Sequence, residues 1–356
     1  MAVIASVLGV VIVLSVLADM VNTLVTTSTG SSRYWLTVRL YEISWRLMRA
    51  LGRRFSEAGR ERLFATFAPV SILLLLAVWV AQQIVGFGLI WWGIGGIDGA
   101  TSILDSVYFS GVVYFTLGFG ELVPVDVVPR LGALIEAMFG VLTTALVIGY
   151  LPALYGAYSE RERKLLTLDD GSEDRITPQS LILSRTRGGD VSQMFAFFAA
   201  WEEWIAGVIE THSAFPMLVL FRSKDPGQHW VTALGVVTDA ALLCQMMRGA
   251  EDREPYWTVR RSIRLFDQLT RHADLSAYRA QIDESYQDTE LFRELYDDLV
   301  DRGFEMLPYE AAREVTVELR RKYDAALEHL IDALEAPRGF WGHAIGHRAG
   351  QRESGG

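Results

Sequence analysis

Three long apolar runs in the first half of the sequence constrain this chain more than any other feature. A helix needs about 20 mostly apolar residues to cross a bilayer, and each run reaches that length. The first run contains Asp19, and the third contains Glu136 as its only formal charge. Because a carboxylate is costly in lipid, we expect Asp19 to face protein or to lie near an interface. We predict three membrane-spanning helices: an N-terminal helix (residues 1–26), an outer helix (67–93) and an inner helix (130–158).

A cleaved signal peptide is the alternative interpretation of the first run. A secretory signal begins with basic residues and has a short apolar core. Residues 1–32 contain no lysine or arginine, and the run exceeds the usual signal length. These two features favour a spanning helix.

Composition divides the chain into a membrane part and a water-facing part. Hydrophobic residues make up 51% of the chain, and the mean hydropathy is +0.21, which is unusual for a soluble protein. Long uncharged runs crowd the first half, and charged residues dominate from Glu160 onward. The formal charge is -10, and no Lys/Arg cluster carries interleaved aromatic residues, so nucleic acid is not an expected partner.

The distribution of basic residues predicts the orientation in the membrane. Eight arginines lie between Arg33 and Arg62, and no further basic residue occurs before Arg130. Basic residues concentrate on the cytoplasmic side. We therefore expect residues 27–62 to form a basic cytoplasmic or interfacial linker, the C-terminal half to be cytoplasmic, and residues 98–129 to lie on the outer side.

The arginine-rich linker has a second interpretation. Arg46, Arg49 and Arg53 follow three- and four-residue steps, as in a voltage-sensing helix. A sensor must itself span the membrane, whereas this stretch carries an apolar stripe from Leu36 to Leu47. The stripe favours an amphipathic helix on the inner membrane surface.

The segment between the second and third runs is too polar for a spanning helix and too apolar for a surface loop. Ser102 and Asp105 form a capping-box pattern, which predicts the start of a short helix over residues 104–115. Two glycines at alternating positions in residues 116–120 end that helix. We expect a short helix that enters the membrane and an extended strand that leaves it.

Extended backbone at membrane depth must line water or be buried in protein. Glycines at alternating positions permit left-handed backbone angles, so successive carbonyls can turn to one side. Four copies around an axis would then present rings of oxygen that replace the water shell of an ion. Potassium-channel filters are the established example of this arrangement.

Residues 98–158 resemble the outer-helix end, pore loop and inner helix of a potassium channel with one pore loop per subunit. Asp105, Tyr108 and Phe109 stand in a sequence that resembles the aromatic pore helix of that family, and Thr-Leu-Gly-Phe-Gly-Glu at residues 116–121, followed by Pro124, resembles its filter signature.

The resemblance implies a role for each residue of this signature. Backbone carbonyls of the first four filter residues, with the hydroxyl of the first, would coordinate K⁺, and the last glycine would permit the turn out. Glu121 and Asp126 would form an acidic outer mouth. The implied filter residues are Thr116, Leu117, Gly118, Phe119 and Gly120.

The signature departs from the family pattern at several positions. Leu117 replaces the usual Val, Phe119 the usual Tyr, Phe115 the usual Thr and Glu121 the usual Asp. Phe119 lacks the hydroxyl with which the usual Tyr can tether the filter to surrounding side chains. A nonselective cation channel is therefore the close alternative to a potassium-selective one. Val112 stands where some relatives have a carboxylate behind the filter.

The inner helix would line the pore. Gly140 matches the position of the family's flexible glycine, and Gly149 and Pro152 are further gate or hinge candidates, although small residues also permit close packing. Thr143 and Thr144 would offer hydroxyls to the cavity or bond their own backbone. Glu136 is a functional candidate by default and would brace the back of the pore helix.

The second half predicts a water-facing helical domain. We expect a pore domain at 63–158, a linker at 159–189, a helical cytoplasmic domain at 190–336 and a disordered tail at 337–356. A weaker resemblance, carried by residues 210–223, is to a helical domain that follows the pore in some bacterial channels. No glycine-rich nucleotide fingerprint and no nucleophile–base pattern occurs, so an enzyme is not indicated. The pair His343 and His347 has metal-like spacing, but it lies in the tail, and we predict no metal site and no cofactor.

These observations predict an all-α membrane protein with a potassium-channel-like pore. The leading hypothesis is a homotetramer in the cell (inner) membrane that conducts K⁺ passively, in contact with lipid and with an unknown regulatory ligand as a further possible partner. The alternative of a different class is a membrane-anchored scaffold that acts through its helical half.

Overall fold

The computed structural model is almost entirely helical, which confirms the predicted all-α class. It describes residues 2–24, 36–168, 176–223, 229–250, 253–285 and 290–337. Two short strands, β1 (Ile97–Asp98) and β2 (Val123–Pro124), pair with each other. Within those ranges the α-helices are α1 (Ala2–Leu24), α2 (Leu36–Gly52), α3 (Glu57–Ile94), α4 (Ile103–Tyr114), α5 (Val127–Leu165), α6 (Pro178–Arg185), α7 (Phe195–Ala214), α8 (Trp230–Gln245), α9 (Glu254–Leu269), α10 (Ser276–Ser285), α11 (Glu290–Asp301), α12 (Tyr309–Arg320) and α13 (Asp324–Leu334).

Within the part of the chain that the structure describes, three helices have the length and composition of membrane spans. Their apolar stretches contain long exposed side chains rather than a polar outer face, as expected for helices that meet lipid or other helices. These stretches are Ala2–Thr23 in α1, Arg62–Ile94 in α3, and Val127–Leu168, which covers α5 and the short 3-10 turn after it.

The chain divides into two compact units. The first contains Met1–Ala157 and Ser213–Phe221, and the second contains Tyr158–His212 and Arg222–Gly356. The helix α5 is continuous across the boundary at Ala157. Each unit has its own core.

In the first unit, α1 and α2 pack on α3. Gly9 of α1 lies so close to α3 that a Cβ atom there would be 2.3 Å from the Gly86 carbonyl oxygen. Asp19 is buried, and its Oδ2 accepts hydrogen bonds from Thr37 at 2.6 Å and from the Trp79 indole at 2.8 Å. The prediction that Asp19 faces protein is therefore confirmed.

In the second unit, α8 forms the centre. Nearly every residue of α8 is buried, including the free cysteine Cys244. Aromatic side chains surround it: Phe198 and Trp201 come from α7, and the rings of Phe266 and Tyr323 stack at 5.8 Å.

The element boundaries differ from the predicted ones at several places. The outer helix begins at Glu57, because Ser56 ends the preceding turn and the residues that follow favour helix. The inner helix runs from Val127 to Leu165, so the first part of the predicted 159–189 linker is helical. The basic linker contains the helix α2. Residues 215–221 contain a 3-10 helix at Pro216–Leu220. The predicted tail beyond Pro337 lies outside the described residues.

Candidate functional site: the pore loop

A capped short helix positions the loop. Ser102 Oγ accepts from the Asp105 backbone N–H at 3.2 Å, and the Asp105 carboxylate accepts from the Ser102 backbone N–H at 2.8 Å. The same carboxylate accepts from Thr101 N–H at 2.8 Å. This is the capping box that the sequence predicts, and it fixes the start of α4.

Residues 116–120, which follow α4 after the single residue Phe115, have an alternating backbone. Thr116, Gly118 and Gly120 have positive φ angles of 54°, 63° and 89°. Only one other non-glycine residue among the described residues, Glu335, has a positive φ. Left-handed angles at every second residue rotate consecutive peptide units so that their carbonyls can point to a common side.

The carbonyls of residues 116–119 accept no hydrogen bond from the residues that the structure describes. The Thr116 and Leu117 N–H groups donate back to Val113 at 3.0 Å and Val112 at 2.8 Å. Within the described residues, none of the hydrogen bonds ends on a carbonyl oxygen of residues 116–119. Four successive acceptors therefore remain available to an ion or to water.

The segment is exposed in the single chain. Leu117 is 54% exposed and Phe119 is 65% exposed, although both are large apolar side chains in a membrane-type domain. A Cβ atom at Gly118 or Gly120 would meet no atom within 4 Å. The loop thus presents its backbone at the surface of the single chain.

The residues that follow the loop form an antiparallel strand pair with the residues that follow α3. Ile97 pairs with Pro124 and Asp98 with Val123 in β1 and β2, and the Val125 N–H donates to the Gly96 carbonyl at 3.0 Å. This strand pair connects the segment after the loop to the segment after the outer helix.

Side-chain hydrogen bonds of Tyr108 and Arg130 connect the residues of the predicted outer mouth. The Tyr108 hydroxyl donates to Glu121 Oε1 at 2.5 Å, so the pore helix is linked to the residue that follows the loop. Arg130 Nε donates to the Pro124 carbonyl at 3.0 Å. Sequence reasoning missed that Arg130, at the start of α5, folds back beside an otherwise acidic mouth in which Asp126 is exposed.

The back of the pore helix packs on α3. Phe109 is 3% exposed, and its ring meets the Trp91 ring edge-on at 6.1 Å. The Trp91 indole N–H donates to Glu136 Oε2 at 2.7 Å, and the Ser110 hydroxyl contacts Glu136 Oε1. Glu136 of α5 therefore touches the pore helix, in agreement with the expectation that it braces this helix.

The gate and cavity candidates have different surroundings. At Gly140 a Cβ atom would lie 2.0 Å from the Tyr114 carbonyl oxygen, so this glycine permits a close helix approach, whereas Gly149 has open space around it. Thr143 is 5% exposed in the single chain, and Thr144 Oγ1 donates to the Gly140 carbonyl at 3.0 Å. Pro152 lies inside α5, which stays helical through it. The roles of these residues in gating or in a cavity stay predictions.

Two aromatic side chains in the C-terminal part of α5 contact phenylalanine rings in the first unit. The Tyr150 ring meets Phe215 at 5.4 Å, and the Tyr155 ring meets Phe221 at 5.9 Å. The segment that carries both phenylalanines is more than fifty residues away along the chain, which is why sequence reasoning did not find this contact.

The second unit contains buried ionisable residues, among them His212 and His229. Among the described residues, no group of three His, Cys, Asp or Glu side chains could hold a metal ion, and His343 and His347 lie outside them. Burial and the nearby Arg161 guanidinium lower the pKa of His212 to about 3. Burial, with Arg222 and Arg161 nearby, also lowers the pKa of His229. Both histidines are neutral core residues near pH 7.

Part of the chain is similar to known membrane proteins. Residues 70–155 match a family described as "Ion channel". The chain is also 25% identical over 199 residues to the protein "Uncharacterized membrane protein YdjJ" of Bacillus subtilis (strain 168). That alignment covers 53% of this chain and 56% of YdjJ, so the chain spans about half the length of this relative. No solved structure matches the chain.

Proposed function

We propose that this chain is one subunit of a homotetrameric, potassium-selective channel. The observation that carries the proposal is the alternation of left-handed backbone at Thr116, Gly118 and Gly120. Such alternation lets four consecutive carbonyls face one axis, and rings of carbonyls replace the hydration shell of K⁺. The match of residues 70–155 to an ion-channel family supports the same function.

Exposure of the loop supports assembly around a shared axis. A single loop supplies one quarter of a closed carbonyl ring, and backbone acceptors at membrane depth are tolerated only where they line water or protein. The inner helix is also rich in exposed large side chains, for example Leu134 at 69% and Ile148 at 68%. Three further copies would complete the ring and cover part of this surface.

Local charge favours a cation at the loop. The pore helix ends at Tyr114, and its C-terminal end carries partial negative charge toward the loop. Asp98, Glu121 and Asp126 are exposed at the outer mouth, against one cation at Arg130. Fourfold repetition gives an acidic entrance that concentrates cations.

The basic helix α2 and the second unit are proposed to be cytoplasmic, because basic residues concentrate on that side. The protein is then a multi-pass channel of the cell membrane without an enzymatic role. K⁺ is its permeant ion.

Reconstitution in liposomes tests this proposal. Purified protein of verified oligomeric state is assayed for K⁺ and Na⁺ flux under matched gradients, and native mass spectrometry gives the number of subunits. The proposal expects a tetramer with K⁺-preferring flux. Equal permeability to the two ions would indicate a nonselective cation channel, and absence of flux from verified tetramers would indicate a membrane-anchored scaffold.

A further inference from the structure

A buried acid on the inner helix lies directly behind the pore helix. Glu136 is 0% exposed, although it sits in the middle of an apolar spanning stretch. Its Oε2 accepts from the Trp91 indole at 2.7 Å, and its Oε1 contacts the Ser110 hydroxyl. One carboxyl group therefore joins the outer helix α3, the pore helix α4 and the inner helix α5.

Two oxygens lie within hydrogen-bond distance of the Ser110 hydroxyl, which has a single hydrogen. Ser110 Oγ lies 2.8 Å from the Ile84 carbonyl oxygen and also contacts Glu136 Oε1. A serine hydroxyl has one hydrogen to donate, and a backbone carbonyl can only accept. If Ser110 donates to Ile84, the contact with Glu136 needs a hydrogen from the carboxyl group. A neutral carboxylic acid then satisfies every contact: Trp91 donates to Glu136, Glu136 to Ser110, and Ser110 to Ile84.

The charge environment favours the same protonation state. Within the described residues, no ion pair includes Glu136. The groups that face it are the Trp91 indole and Ile84 carbonyl from α3, and the Ser110 hydroxyl and Tyr114 phenol from α4. None of these groups carries a positive charge. An unpaired carboxylate in such a site is costly, whereas a hydrogen-bonded neutral acid is tolerated.

Two glycines keep the three helices in contact around this acid. Gly132 and Gly140 lie one turn before and one turn after Glu136, on the same face of α5. A Cβ atom at Gly132 would be 2.4 Å from the Trp91 ring, and one at Gly140 would be 2.0 Å from the Tyr114 carbonyl oxygen. The inner helix therefore meets both partners of the acid without intervening side chains. These close contacts fix the position of the pore helix α4 against α5. The filter segment follows shortly after α4.

We infer that Glu136 is held as a neutral carboxylic acid and is a positioning residue, which sets the pore helix, and through it the filter carbonyls, by the relay to Ser110 and Ile84. This role rests on the proposed function, because it concerns ion selectivity. The protonation state itself can be measured whether or not the protein conducts.

Infrared spectroscopy of the purified full-length protein near pH 7 tests the protonation state. The inference expects a carbonyl-stretching band of a protonated carboxylic acid that disappears in Glu136→Gln. Asp19→Asn is the matched control, because Asp19 is also buried and also accepts from an indole, but it does not touch the pore helix. A protonated-acid band that is unchanged by Glu136→Gln would overturn the inference.

Flux through reconstituted variants tests the positioning role. The amide of Glu136→Gln can donate to Ser110 and accept from Trp91, so this variant keeps the K⁺/Na⁺ permeability ratio. Glu136→Ala removes both contacts and lowers the ratio by at least about tenfold, the factor expected from the loss of one such hydrogen bond. Ser110→Ala removes the contacts of the Ser110 hydroxyl with Glu136 and with the Ile84 carbonyl, and it lowers the permeability ratio in the same direction. This variant replaces Glu136→Ala in the test if Glu136→Ala does not assemble.

The outcomes separate the inference from the proposed function. Selectivity lost equally in Glu136→Gln and Glu136→Ala would overturn the neutral-acid role while leaving the channel in place. Absence of K⁺-preferring flux from the unmodified protein would overturn the proposed function, and the infrared band would still report the state of Glu136.

Discussion

Replacing Gly118 by alanine changes the backbone of the filter segment and little else within the chain. Gly118 has a φ of 63°, and a Cβ atom there would meet no atom within 4 Å. The cost is therefore one of backbone conformation, about 1–2 kcal/mol for an L-residue in the left-handed region. In a tetramer the substitution acts four times, so the open arrangement of the carbonyls loses about 4–8 kcal/mol. A penalty of that size shifts the segment to other backbone angles and removes the carbonyl ring.

The assay is K⁺ flux from liposomes that contain equal amounts of verified tetramer. Gly118→Ala is expected to abolish K⁺-preferring flux. Gly156→Ala is the control, because this glycine is helical and also has no atom within 4 Å of a Cβ position. Unchanged, K⁺-selective flux through the Gly118→Ala tetramer would refute the role assigned to the left-handed backbone.

Three further predictions concern the outer mouth and the second unit. Tyr108→Phe removes the 2.5 Å hydrogen bond to Glu121, and K⁺ currents are expected to decline faster when external K⁺ is low. Burial and Arg161 lower the pKa of His212 from 6.5 to about 3. The unfolded chain therefore binds a proton that the folded chain excludes, and stability that is complete above pH 6.5 falls by about 2 kcal/mol at pH 5 in thermal unfolding. Arg161→Ala leaves the buried carboxylate of Glu162 without its 3.0 Å partner, and calorimetry is expected to show a loss of about 3–5 kcal/mol in the second unit.

Each of these predictions has a control or a contradicting result. Arg163→Ala is the control for Arg161→Ala, because Arg163 is exposed on the same turn and its removal is expected to be near neutral. For Tyr108, a current that declines at the unmodified rate would show that the hydrogen bond to Glu121 does not support the filter. For His212, stability that stays constant from pH 7 to pH 5 would contradict its neutral, buried state.

The spanning helices and the pore loop follow from sequence because their signals are local. Apolar length predicts α1, α3 and α5, and the capping box at Ser102 predicts the start of α4 within one residue of Ile103. The alternating glycines predict left-handed backbone where the structure has it. The positive φ of Thr116 was not evident, because threonine alone does not favour that region.

Contacts between distant segments could not be predicted in the same way. The sequence alone does not explain the buried acid Glu136. Its hydrogen-bonding partners, Trp91 and Ser110, lie 45 and 26 residues away along the chain. Arg161 likewise looks like an ordinary basic residue at the end of a helix. In the structure its guanidinium is buried, pairs with Glu162 and lies 4.9 Å from the centre of the Trp230 ring. Packing partners of this kind depend on the tertiary fold rather than on spacing along the chain.

Electron cryomicroscopy of the purified protein in K⁺ tests the central claim most directly. The account predicts four copies around one axis, with density for ions between carbonyl rings of residues 116–119 and with the large side chains of Leu117 and Phe119 turned away from that axis. An assembly without a fourfold passage, or one in which Gly118 packs against lipid-facing helices of a neighbouring subunit, would contradict it.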